Sequence, residues 1–307
     1  VLKKIKAPRG EYTCIIDRAN NELVDVHEET FSELFHLLDS VLNVKLVINR
    51  EKPLPDDLLT GATMLVIGCP RKSQLDKEEI ETVVKYVRDG GNLLAITDAG
   101  GDAANETNLG ELTSVFGIEI EATTVRDSKN IGSAAAPIIE DINVSHPLNR
   151  NVMRVVIGGG ATLLAPEPAV SLLGTNRTCV IEQFRPAEHD GWKVMKVGEH
   201  YPIAASAQHG QGKVVVVGDV DMFSNDLDYG INALDNATFI KNIFTWFMSP
   251  VDVPSVIDWL VSRLTALETR VNDLAGENAR LKQKLTKLEN PENEYPLVKQ
   301  RLQDELE

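Results

Sequence analysis

Cysteine is scarce. The three present in 307 residues, Cys14, Cys69 and Cys179, stand far apart with no CxxC pair, which argues against a zinc site or a secreted disulfide scaffold and for a reducing compartment. Long apolar runs are missing too: no stretch of about 18 consecutive apolar residues suggests a membrane span. The opening VLKKIKAPRGEYTCIID holds no apolar segment of signal-peptide length. The expectation is a soluble, cytoplasmic chain with no direct membrane insertion. Positive charge is also in short supply, with 31 Lys and Arg against 46 Asp and Glu and a formal charge of −15. Nucleic-acid binding depends on clustered Lys and Arg, so that partner class is not expected. The glycine run Ile157 to Ala161 lacks the lysine and Ser/Thr of a phosphate loop and lacks GxGxxG spacing. A bulge or a close backbone crossing in a strand explains it better. No cofactor is expected.

What the chain does have is a heptad seam. Ile257, Leu260, Leu264, Leu267, Val271, Leu274, Asn278, Leu281, Leu285 and Leu288 fall alternately three and four apart, with leucine at every d position. Asn278 is the one polar a position, where a buried amide pair sets register and favours two parallel strands. Across such a dimer Arg263 faces Glu268, Glu277 faces Lys282 and Lys284 faces Glu289, each pair of opposite sign. The spacing predicts a parallel homodimeric coiled coil over 255–289, roughly 50 Å long. The competing reading is a helix that folds back on its own domain. Pro250 and Pro254 mark a hinge at 250–254, Pro291 ends the coil, and 290–307 is a short charged segment.

Upstream, TCIID, VKLVIN, MLVIG and NLLAIT alternate with helical patterns at Glu29–Leu42 and Leu75–Asp89. Buried strands separated by helices predict an α/β domain over 1–249 with a flavodoxin-like or Rossmann-like, mostly parallel sheet and helices on both faces. From about 111 to 217 strand-like runs dominate, giving a β-rich extension. It includes a hairpin in which PIAASAQ and KVVVVGD flank HGQG. Asn236 is read as the N-cap of the closing helix NATFIKNIFTWF.

Two acidic stretches lie at strand ends, where open α/β sheets bind ligands. In DAGGDAANETN, Asp98, Asp102, Asn105 and Glu106 offer oxygen ligands for a cation or sugar hydroxyls. In GDVDMFSNDLDYG, Asp219 and Asp221 follow the strand KVVVVG, without the glycine and distant glutamate of a calcium loop. Turn and capping hydrogen bonds are the plainer explanation of both. A ligand site, if present, is expected between Asp98 and Asp221.

The run MLVIGCPRKSQLDKEEIETVVKYVRDGGNLLAIT, with GKVVVVGDVDMFSND and DNATFIKNIFTWF, resembles the class I glutamine-amidotransferase-like fold over about Glu11 to Ser249. More narrowly it resembles the GIFT domain shared by the gliding-motility transporter subunit GldG and the amino-terminal domain of intraflagellar transport subunit 52. Catalytic members of the superfamily carry a cysteine in a Gly-x-Cys-x-Gly turn after the strand that here is NLLAIT. This chain has Thr97, Asp98, Ala99, Gly100 and Gly101 there. Cys69 sits instead where those relatives use a backbone amide for the oxyanion, and no histidine stands in an HxE setting. The resemblance therefore implies a non-catalytic branch that serves in assemblies. The expected function is a dimeric scaffold or adaptor of a protein assembly, transport-related, either intraflagellar-transport-like or ABC-transporter-associated. The alternative is a hydrolase or ligand-binding sensor that uses the acidic strand edge.

Overall fold

The computed structural model describes residues 12–129, 131–132, 136–186, 191–249, 271, 274–276 and 278–282. Four five-residue apolar runs, too short for buried helices, form β1 (Thr13–Asp17), β2 (Lys45–Asn49), β3 (Met64–Gly68) and β4 (Asn92–Ile96). They pair in parallel in the order β2-β1-β3-β4. The helices between them are short. The segment after β1 is a 3-10 turn (Glu29–Phe31), α1 (Ser32–His36) and a π turn (Leu37–Val41), and α2 (Asp56–Leu59) is a single turn. In α3 (Lys77–Arg88) a capping box sets the start: the Glu79 amide donates to Asp76 and the Asp76 amide to Glu79. Gly90, at φ +113, follows its end. After β4 come α4 (Gly101–Asn105) and α5 (Leu109–Val115).

The following strands are β5 (Glu119–Ile120), β6 (Thr123–Asp127), β7 (Ile138–Ile139), β8 (Asp141–Ile142), β9 (Val155–Val156), β10 (Leu163–Leu164) and β11 (Val170–Gly174). Then come β12 (Cys179–Phe184), β13 (Trp192–Val197), β14 (Pro202–His209), β15 (Gly212–Val217) and the closing helix α6 (Asn236–Met248). The main sheet has eight strands in the order β2-β1-β3-β4-β15-β14-β11-β8. β15 lies parallel to β4, but β14, β11 and β8 each pair antiparallel to their neighbours. Small antiparallel sheets, β13-β12-β6, β10-β5 and β7-β9, flank it.

This overturns the expected flavodoxin-like or Rossmann-like fold: the sheet is mixed, and among the described residues strands are many and helices few and mostly short. The reason lies in the connections. His209 pairs with Gly212, so only Gly210 and Gln211 join β14 to β15, and a two-residue link cannot return a strand in parallel. The segment expected as a β-rich extension packed on the same core thus supplies half of the main sheet.

Side chains alternate across the central strands and both faces are buried. Cys14, Ile16, Met64, Val66, Leu94, Ile96, Val215 and Val217 pack with Phe31, Leu34, Phe35 and the α6 residues Phe239, Ile243 and Phe244. Ile15, Leu65, Ile67, Leu93, Ala95, Val214 and Val216 pack on the other side with Val83 and Val87 of α3. Asn236 is not the cap of α6. Asp235 holds the N-cap position, accepting from the Met153 and Arg154 amides, while the buried Asn236 amide bonds Val156, Tyr229 and Gly230. At the far end Lys213 Nζ donates to the Trp246 and Ser249 carbonyls, satisfying the helix C-terminus.

The chain divides into two compact units, Val1–Pro250 and Val251–Glu307. In the second, residues 271, 274–276 and 278–282 are helical and exposed. The hinge 250–254, the seam residues Ile257, Leu260, Leu264, Leu267, Leu285 and Leu288, and the segment 290–307 lie outside the described residues. Among the described residues, no helix is long and apolar enough to cross a membrane.

Candidate functional site

Three adjacent strand ends build the site. Asp98 follows β4, Asp219 and Asp221 follow β15, and Arg71 comes from the loop after β3. Because these strands are parallel neighbours, their carboxyl ends open on one edge of the sheet. Carboxylate oxygens of Asp98, Asp219 and Asp221 lie within 4.8 Å of one another. Arg71 Nη2 stands 2.8 Å from Asp98 Oδ2, and Asp98 Oδ1 accepts from the Ala99 amide.

The glycine run crosses directly over this edge. Gly158 and Gly160 donate their amides to Asp219, as does Met222, and the Ala161 amide donates to the Gly218 carbonyl. A Cβ at Gly158 would lie 2.2 Å from Asp221 Oδ2, and one at Gly160 2.8 Å from Asp219 Cβ. The run is a close backbone crossing that cradles a carboxylate, with glycine required by the approach.

Burial dominates the electrostatics. Asp219, wholly buried, is held well above the usual carboxylate range, first by desolvation and then by Asp221 and Asp98. Asp221 is pushed up to about 6 by burial, Asp98 and Asp226, with Arg71 opposing. Asp98 is raised by burial against the pull of the Ala99 amide and Arg71. Cys69, buried and at φ +60, has its thiol pushed up to about 12 by desolvation and by Asp98. Its amide donates to the Ile96 carbonyl at 2.8 Å, so that N–H is committed within the fold. A thiol so far from ionising is a poor nucleophile. His146 is buried against Trp246, His200 pairs with Asp141, and His209 packs edge-on to Phe116.

The remaining residues singled out in the sequence make local bonds. Asp102 Oδ2 accepts from the Gly110 amide, tying α4 to α5, and its Oδ1 is buried without a partner. Asn105 donates to the Gly101 carbonyl, and Glu106, exposed at φ +55, ends α4. Arg71 was not anticipated. A search for a counter-charge in the loop leaving the neighbouring parallel strand would have found it. Chemically the edge can exchange protons or hold a cation, with Arg71 as its resident positive charge.

The fold and this edge can be set beside known proteins. Among curated proteins the chain is 24% identical over 219 residues to the intraflagellar transport protein 52 homolog of Mus musculus, covering 63% of this chain and 46% of that protein. The Homo sapiens homolog is 22% identical over 255 residues, covering 71% of this chain and 52% of that protein. The chain spans about half the length of the curated relatives it matches. Among solved structures, the mmIFT52 N-terminal domain superposes with a TM-score of 0.64 at 21% identity, covering 78% of this chain and 99% of that one. The chain is therefore homologous to the N-terminal domain of intraflagellar transport protein 52. A family profile described as DUF4350, a domain of unknown function, matches residues 29–244, most of the chain, and the chain belongs to that family.

Proposed function

We propose that the chain is a non-catalytic dimeric adaptor, two copies of which join in parallel along the Ile257–Leu288 seam and present acidic domains to other subunits of a transport-related assembly. The observation that carries this reading is the homology to a protein named for intraflagellar transport. The state of Cys69 supports it, since a thiol raised to about 12 is unsuited to the nucleophilic chemistry of an amidotransferase. Val271, Leu274 and Leu281, all helical, are 63%, 54% and 56% exposed in the single chain. Complete burial of such a side chain against a second copy contributes about 1.5–3 kcal/mol.

The finer placement belongs to the same reading: a GIFT-type domain of the glutamine-amidotransferase-like superfamily, cytoplasmic, in either an intraflagellar-transport-like or an ABC-transporter-associated assembly. The domain surface, the β-rich extension and the coil's terminal segment are the candidate docking surfaces, and the charged end PLVKQRLQDELE, 296–307, is one candidate handle among them. If it serves as that handle, removing it costs at least one partner subunit in a pull-down from the source cells. Undiminished capture of every partner removes the segment from the account.

A second reading, ligand binding at the acidic edge, is favoured by the convergence of Asp98, Asp219 and Asp221. Thermal unfolding is then followed across a calcium and magnesium titration. On this reading the midpoint rises with cation, and Asp221→Asn abolishes the rise; an unchanged midpoint counts against it.

A further inference from the structure

A second group of buried acids lies at the same edge of the sheet, beyond β3, and takes no part in the site above. Asp17 ends β1, Glu22 sits in the loop that follows, and Glu79 reaches in from α3; each is at most 2% exposed. Against these three stands the Lys52 ammonium, 3.6 Å from Glu79 Oε2 and bonded to Asn20 Oδ1 and the Gln74 carbonyl. Asn20 bridges the group: its amide donates to Glu22 Oε2, its Nδ2 to Glu79 Oε1, and its Oδ1 also accepts from Ser73. Asp76 and Glu79 hold one another in the α3 capping box. Arg18, on the same loop, is paired with Asp25 at 3.0 Å. Asp17 Oδ1 accepts from Asn49 Nδ2 at 2.7 Å and from the Ala19 amide.

One atom does not fit a fully ionised cluster. Glu22 Oε1 is buried and accepts no hydrogen bond, its other oxygen is taken by the Asn20 amide, and the buried Asp17 carboxyl is the neighbouring charge that acts on it. Two carboxylates cannot bond each other, and an orphaned buried oxygen is costly. As a carboxylic acid, Glu22 becomes a donor and both problems disappear. We propose that Asp17 and Glu22 hold a single proton between them, and that this proton pins the loop 18–28 to the edge of the sheet.

The loop holds more than itself. Asn21 Nδ2 donates to the Arg71 carbonyl, and the Leu23 and Val24 amides donate to Cys69 and Gly68. Loss of the shared proton sets two buried carboxylates against each other, with Lys52 already engaged by Glu79 and Asn20. The loop then opens and loosens its hold on the segment that carries Arg71. Burial and the Asp17 charge raise Glu22 to about 8, in keeping with a proton retained at neutral pH. The contribution is complete below the ordinary glutamate range and is lost as the pH climbs through about 8.

The test is urea unfolding of the full chain and of Glu22→Gln between pH 5 and 9. Glutamine keeps the acceptor for Asn20 and supplies a permanent N–H toward Asp17. The ratio of folding constants, variant over wild type, rises by up to about tenfold per pH unit and levels off above the transition. A ratio that stays constant across the range overturns the proposal. Where the variant does not fold, amide hydrogen exchange of residues 18–28 in the unsubstituted chain decides. Opening that increases between pH 7 and 9 beyond the base-catalysed trend supports the shared proton, and exchange that follows that trend alone refutes it.

Discussion

Asp219→Ala destabilises the domain by about 3 kcal/mol, because two buried backbone amides, those of Gly160 and Met222, and the half-buried amide of Gly158 lose their acceptor together. That is a large share of the 5–15 kcal/mol by which a domain is ordinarily stable. The effect is read as a shift in the urea midpoint with unchanged slope. Asp219→Asn retains one acceptor oxygen but turns its NH2 toward the amide of Gly160 or Met222, so it recovers only part of the loss. Its pH dependence also differs in sign from that of an ordinary carboxylate. Burial outweighs the amide bonds and holds Asp219 toward its protonated form, so the wild type loses stability with rising pH where the asparagine variant does not. Equal midpoints for wild type and alanine variant would mean that the glycine crossing does not depend on this carboxylate.

Gly218→Ala is expected to be as damaging, for a purely steric reason. A Cβ at this position would stand 2.0 Å from the Ala161 carbonyl oxygen and 3.1 Å from that of Ile203. The Ile203 oxygen accepts the Gly218 amide and the Ala161 peptide is tied to Gly218 through the Ala161 amide, so neither backbone can yield without breaking the junction that positions Asp219. A loss of about 3 kcal/mol follows. Gly174→Ala is the contrast. Its nearest obstacle is the His200 ring, at 2.1 Å, a half-exposed side chain that can turn aside at the cost of only its exposed pair with Asp141. Thermal unfolding midpoints should fall steeply for the first and little for the second; similar falls for both would contradict the steric account.

The difference between those two glycines shows why the sequence was readable in some places and not in others. Local signals carried well. The five-residue run TCIID is β1, the helix expected at Leu75–Asp89 is α3 with its Asp76 and Glu79 box, and the turn HGQG joins β14 to β15. Each depends on residues close together in the chain. Beyond that hairpin the direction of pairing was not legible, since an apolar run such as VSLLG of β11 looks the same in a parallel or an antiparallel neighbourhood. The flavodoxin-like expectation failed on that point. In the candidate site, the sequence identified Asp98, Asp219 and Asp221 as residues at strand ends. Their convergence within 4.8 Å depends on β4 and β15 being sheet neighbours although separated by over a hundred residues. Arg71 escaped notice for the same reason, and the unpartnered Glu22 oxygen is visible only once a core has closed around it. Asn236, read as a cap from its place before an apolar run, is instead a cross-link to Val156, whose partner lies 80 positions away.

The account rests on pairing of two chains through the seam, and the solution mass measures that directly. Light scattering of the full chain and of a version ending at Ser249 should give a dimer for the first and a monomer for the second. A monomer in both cases, or a dimer that survives the truncation, would contradict the zipper as the organiser of the protein.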